Sequence, residues 1–210
     1  MALTDMPFGL QPLFMAEARK TALLFPITNN YGTALYIHDP ALAVTAGTIE
    51  KGAVSGAYLG SILGLYKAIG KTSLRLESLL PMQYMSASPG ASDTWFALVS
   101  CDPSLFYVAQ EDGDTSSMVI TNNFGMVDMI FTHGGNTITG ISKGEIDSST
   151  IDATATRPIQ LVRPWLEHYD IDAGQYDAVS AAGAAGNRCR WICRIANHQF
   201  NNASLSVGFA

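Results

Sequence analysis

From residue 93 onward, short strand-sized apolar runs recur, separated by turn residues such as Gly, Pro, Asp and Asn. Recurring short runs with turn signals between them are the pattern of strands in a sandwich or barrel. The runs are Thr94 to Val99, Leu105 to Val108 and Gly125 to Phe131. Asn136 to Ile141 and Ile159 to Val162 follow. Asp102-Pro103 and His133-Gly134-Gly135 supply turns, and Arg163-Pro164 stops the last of these runs. The clearest strand is Arg188 to Ile195. Cys189, Trp191, Cys193 and Ile195 share one face, and Arg188, Arg190, Ile192 and Arg194 share the other. A period of two is the strand signature. The first face is expected to be core and the second an exposed arginine ladder.

Earlier segments read less regularly. Tyr31 to Ile37 and Ala41 to Ala46 are short strands around Asp39-Pro40, and residues 15–24 can form a short helix before Pro26. Residues 147–156 are polar and β-branched, more loop than helix. Gly52, Gly56, Gly60 and Gly64 fall four apart, as in packed membrane helices. Lys51 and Lys67 bracket too short a stretch for a span, so strand structure with glycines at bends and close approaches fits better. Residues 173–187 are rich in Ala and Gly with little apolar bulk, the composition of a long surface loop. The N-terminal 14 residues hold Pro7, Pro12, Phe8, Leu10 and Phe14. They are too broken for a helix and too apolar for a solvated tail. They read as an extended arm that docks on another surface or packs back on its own domain. The organisation expected is an arm over residues 1–28 and one all-β, jelly-roll-like sandwich or barrel over 29–210, with a long surface loop near 170–187.

Charge narrows the function. Charged residues make up 14% of the chain and the net charge is −6. Average domains carry about 25% charged residues; here Gly, Ser and Thr fill the gap. A surface with so little charge suits a component that is covered in an assembly. No Lys or Arg occurs between Arg75 and Lys143, and that stretch holds seven acids. Direct nucleic-acid binding there is therefore not expected. Three cysteines, Cys101, Cys189 and Cys193, read as reduced and buried.

No motif for catalysis stands out. His38, His133, His168 and His198 are scattered, with no H-x-H or H-x3-H pair, and no Cys or His spacing completes a zinc site. There is no G-x-S-x-G elbow and no complete phosphate loop; Gly70-Lys71-Thr72 lacks the first glycine, since Leu65 stands there. Acidic turns at 111–114 and 170–172 miss the calcium-loop spacing. No cofactor, metal or catalytic residue is expected. Arg188, Arg190 and Arg194 could meet an acidic protein surface or form a solvated strand face.

Several segments in order resemble the bacteriophage capsid cement, or head decoration, proteins of the jelly-roll-like type. Leu35-Tyr36-Ile37-His38-Asp39-Pro40 with Gly47-Thr48-Ile49 is similar to that family's first hairpin, with His38 where the family more often has glycine. Gly60 to Tyr66 looks like its glycine-flanked strand. Trp95 to Val99 with Asp102-Pro103-Ser104-Leu105-Phe106-Tyr107-Val108-Ala109-Gln110 looks like its D-P-x-x-x-F-x-V-Q region. Glu145-Ile146-Asp147-Ser148-Ser149 resembles its E-L-D-S-S stretch. Ile159 to Pro164 and Arg190 to His198 resemble its closing strands. The resemblance implies a non-enzymatic virion protein on the outer surface of the phage head. Its partners would be the major capsid protein and further copies of itself, as a dimer or trimer, with no membrane. Phe8, Leu10, Phe14, Arg188, Arg190 and Arg194 are the candidates for the capsid interface. The alternative is a carbohydrate-binding β-sandwich module, with Trp95, Trp165, Trp191 and Tyr169 as a sugar platform, or a small β-barrel enzyme.

Overall fold

The alternation through Arg190–Ile195 places that strand inside a six-stranded sheet, because both its edges are hydrogen-bonded to neighbours. The computed structural model describes residues 6–68, 79–113, 118, 120–152, 156–165, 169–170, 175–176 and 188–201. In chain order the elements begin with β1 (Gln11–Pro12), α1 (Met15–Lys20), β2 (Ala22–Pro26), β3 (Leu35–Tyr36), β4 (Pro40–Ala43) and β5 (Ile49–Lys51). They continue with β6 (Gly60–Ala68), β7 (Leu79–Met82), β8 (Tyr84–Met85), β9 (Trp95–Ser100), β10 (Phe106–Gln110) and β11 (Met126–Ile130). They end with β12 (Glu145–Asp152), β13 (Ile159–Pro164), β14 (Tyr169–Asp170), β15 (Gln175–Tyr176) and β16 (Arg190–Ile195).

The fold is all-β and sandwich-like. One antiparallel sheet runs β1-β10-β16-β13-β11-β12, and a second runs β2-β9-β6-β4-β5 with β7 also on β6. Two ladders of two strands, β3-β8 and β14-β15, complete it. The apolar residues separate into two clusters. One is built on the inner face of the first sheet, from Tyr107, Trp191, Cys193, Leu161, Val127, Met129 and Ile146, with Leu10 and Tyr58 filling in. The other lies on the second sheet, around Ile62, Leu65, Ala97, Val99, Ala41 and Ile49, with Leu35 and Met85 from the small ladder. All three cysteines are free and buried.

Several expectations change. Residues 22–24 are strand, not helix: α1 ends at Lys20 and β2 pairs with β9 as an edge strand, where Pro26 costs no ladder bond. A boundary at residue 28 therefore cuts through the second sheet. The hairpin after Asp39 is β4-β5, while β3 pairs with the distant β8. Asn136 to Ile141 is a loop, since the Asn136 side-chain oxygen accepts the N–H groups of Ile138 and Thr139 and turns the chain. Most of the 147–156 stretch is strand instead, with β12 pairing β11 and Glu145 opposite Ile130. Within residues 52–59 the chain turns at 54–56 and Tyr58 bridges His198, and the strand begins at Gly60. A Cβ on Gly60 would fall 1.6 Å from the Ser100 carbonyl oxygen, which explains a glycine there. Of the expected surface loop, β14-β15 forms a short ladder, and the remainder of 170–187 lies outside the described residues.

Candidate functional site

The inward face of β16 is as the alternation requires, with Cys189, Trp191 and Cys193 fully buried and Ile195 nearly so. The outward face is not a plain arginine ladder. Ile192 on that face is buried, and Arg188 and Arg190 are half-buried. The Arg188 guanidinium lies 3.3 Å from the buried Glu145 carboxylate, which His133 approaches from the other side at 3.6 Å. Arg190 sits over the Phe8 ring, 5.5 Å from its centroid. Arg194 is the exposed member, and its Nε donates to the Gln160 side-chain oxygen at 2.7 Å. Alternation identified the face, but the partners come from β12, β13 and the N-terminal segment, which no local pattern links to β16.

The N-terminal segment lies on its own domain. Leu10 is fully buried in the first cluster, so its side chain packs on its own domain rather than on the surface. Its N–H donates to the His38 carbonyl at 2.8 Å, and its carbonyl accepts the Ser61 hydroxyl at 2.7 Å. Gly9 donates to Gly144, and Leu13 donates to Phe106 across the β1-β10 pair. Gly9 has φ +74, and a Cβ there would meet the His38 carbonyl at 2.5 Å, so the site excludes side chains. Phe14 remains 57% exposed and Phe8 is half-buried.

Where this segment crosses β3, β4 and β6, buried polar groups meet. Asp39 is fully buried, paired with Lys51 at 3.0 Å, and accepts the Ser142 hydroxyl at 2.6 Å and the Tyr36 N–H at 2.9 Å. Desolvation dominates its carboxyl and raises its pKa, against the opposing pull of Lys51 and these hydrogen bonds. His38 beside it has φ +71, a conformation glycine adopts freely, and burial drives its imidazole down to about 4. Glu111, missed in the sequence reading as anything but a turn acid, is also fully buried. It accepts the N–H groups of Cys189 and Met118, yet burial raises its carboxyl to about 7.

Between the N-terminal segment and the outer face of the first sheet is a cleft of about 650 Å³. Phe8, Pro12, Val108, Trp165, Arg190, Lys143 and His133 are among its walls, and no acid is among the described residues that line it. The Trp165 backbone is anchored by its amide N–H donating to the Arg190 carbonyl at 2.8 Å. Trp95 and Trp191 are buried, so of the three tryptophans only Trp165 could face a ligand. Exposed aromatics flank the cleft's sheet. Phe106 is 39% exposed opposite Arg194, and Phe124 is 69% exposed next to Gln160, whose side-chain N–H₂ donates to the Phe124 carbonyl.

Among the described residues, no group of three His, Cys, Asp or Glu side chains is placed to hold a metal ion. No helix there is long and apolar enough to cross a membrane. No family model, curated protein or solved structure matches the chain.

Proposed function

We propose that this chain is a virion structural protein, a cement or decoration protein that binds the outer surface of a phage head and bridges neighbouring major capsid protein subunits. The observation that carries this reading is the row across the outer face of the first sheet: Phe106, Arg194 and Gln160 lie in register on three adjacent strands, with Phe124 beside them. Exposed aromatics around an arginine are the composition of a protein-binding patch. His38 has a positive φ, a conformation that glycine adopts freely, at the position where the resembling family more often has glycine. A shell protein present in many copies works at modest affinity per site, because the lattice raises the effective concentration.

The interface candidates are accordingly redrawn. Phe14 and Arg194 stay exposed, Phe8 and Arg190 form a cleft wall, and Leu10 and Arg188 serve the fold. The test is cosedimentation with purified phage shells. The Phe106→Ser/Arg194→Glu double variant should lose binding by at least about tenfold while melting within about 2 °C of the parent. Particles lacking the protein should release DNA at a lower temperature. Equal robustness of such particles, together with no cosedimentation of the parent protein, would refute the proposal.

A further inference from the structure

We infer that Lys51 and Asp39 form a self-modification site, where the folded chain joins its own two side chains through an amide bond with loss of one water. This proposal is independent of the function proposed above. Strand register brings the two groups together. Ala41 on β4 pairs with Lys51 on β5, and Asp39 stands two residues before Ala41, diagonally beside Lys51. The structure holds the pair as reactants, with the Lys51 Nζ 3.0 Å from Asp39 Oδ1. Neither group is in water: the two side chains are 9% and 0% exposed. The Phe131 ring covers the ammonium, with its centroid 4.6 Å from Nζ. Among the described residues, the other lysine–carboxylate pair is Lys67 with Asp93. It is as close, at 2.9 Å, but its side chains are 36% and 26% exposed. The remaining pairs are made by arginine or histidine, which have no amine to condense.

An amine and a carboxyl condense only as the neutral pair, and bulk water opposes that pair. Burial reverses the balance, because an ammonium and a carboxylate lose more hydration than an amine and an acid. Desolvation accordingly raises the Asp39 carboxyl. One ammonium proton passes to Oδ1 along the 3.0 Å contact. The freed lone pair on Nζ attacks Asp39 Cγ, the C–N bond forms, and the carbonyl electrons move onto Oδ2. The Tyr36 N–H, 2.9 Å from Oδ2, faces that developing charge. A second proton then leaves the nitrogen for Oδ1, the Cγ–Oδ1 bond breaks, and Oδ1 departs as water. The Ser142 hydroxyl donates to this same oxygen at 2.6 Å and holds it in place. Each carboxyl oxygen thus has its own donor, nothing is oxidised or reduced, and no co-reactant is required. Groups fixed side by side in a fold react as if at very high concentration, which free amines and acids in water lack. The crosslink ties the start of β4 to β5, next to the His38 carbonyl that holds Leu10.

The experiment is intact-mass spectrometry and peptide mapping of the purified full chain, after incubation of the folded protein at neutral pH. The expected mass is that of the sequence less one water, with a branched peptide joining the segments that carry Asp39 and Lys51. Lys67 and Asp93 should appear in unlinked peptides. Protein kept in urea throughout should retain its full mass. Lys51→Arg, which keeps the cation without the condensing amine, should also retain it. The parent's mass is decisive whether or not that variant folds. A folded parent at full mass would overturn the crosslink. So would a water loss that maps elsewhere, for example to a succinimide at Asp112-Gly113, or an equal yield of the branched peptide in urea.

Discussion

Replacing Leu10 by Ala separates an arm that belongs to the fold from one that merely rests on a partner. Leu10 is fully buried, and its backbone is held on both sides, by the His38 carbonyl at 2.8 Å and the Ser61 hydroxyl at 2.7 Å. Leu→Ala in a core costs about 2–5 kcal/mol, more where the surroundings cannot close on the cavity. Anchors on both sides of the residue resist that closure, so the expected cost is about 3–4 kcal/mol. For a chain of this size, each kcal/mol lowers Tm by roughly 2–4 °C. The variant should therefore melt roughly 10 °C below the parent by calorimetry. Phe14→Ser, four residues away and 57% exposed, should melt within about 2 °C of it. Removing residues 1–14 should go further and abolish folding, since His38, Ser61, Gly144 and Phe106 lose backbone partners together. A Leu10→Ala protein that melts like the parent, or a truncated chain that keeps its cooperative transition, would refute the assignment of this segment to the core.

Two further outcomes follow from buried charge. Glu111 has its carboxyl raised from 4.5 to about 7, so its stabilising contribution is complete below about pH 4.5 and is gone once the pH has risen through about 7. The gap in unfolding free energy between the parent and Glu111→Gln should then be larger at pH 5 than at pH 8, by up to about 3 kcal/mol in urea titrations; a gap independent of pH would show that the carboxyl does not titrate there. Asp39→Asn should cost about 3–5 kcal/mol, because it leaves Lys51 buried without its partner, and adding Lys51→Met should recover much of that loss in Tm. No recovery would mean that the Ser142 and Tyr36 hydrogen bonds, not the ion pair, hold this corner.

What could be read from the chain depended on how local the cause was. The face assignment of β16 needs only alternation, and the inward residues follow it without exception. Strands β9, β10 and β13 were legible because apolar runs ended at turn residues. Strand β12 was not, because its edge position lets it carry Asp147, Ser149 and Thr150, and Asp147 caps Ser149 as it would in a turn. Conversely Asn136-Thr-Ile-Thr looked like a strand by composition, but one Asn side chain bent it and left Ile138 81% exposed. The partners of Arg188 and Arg190 lie on other elements, so the sequence could mark the arginines without telling a buried pair from a binding surface. The extended form of residues 6–14 was legible from its prolines. Its docking surface was not, since that depends on His38, Ser61 and Gly144.

This placement of the N-terminal segment has a consequence for binding. Met6, Pro7, Phe8, Gln11, Pro12 and Leu13 form one wall of the cleft, while Leu10, between them, faces the core. The wall and the core residue are a single stretch of chain, so the cleft's shape is tied to the stability of the sandwich. A segment held only by the cleft would pay an ordering cost on each binding event; one pinned by Leu10 and by the His38 and Ser61 hydrogen bonds has met that cost in folding. The two apolar clusters add to this. Ser61 on β6 and Asp39 beside β4 belong to the second sheet's side, and Leu10 belongs to the first cluster, so the polar contacts around residue 10 help fix one sheet against the other. Directional hydrogen bonds specify one arrangement where apolar contact alone would allow several. The same few contacts therefore position both the outer row at Phe106 and Arg194 and the cleft walls at Arg190 and Lys143.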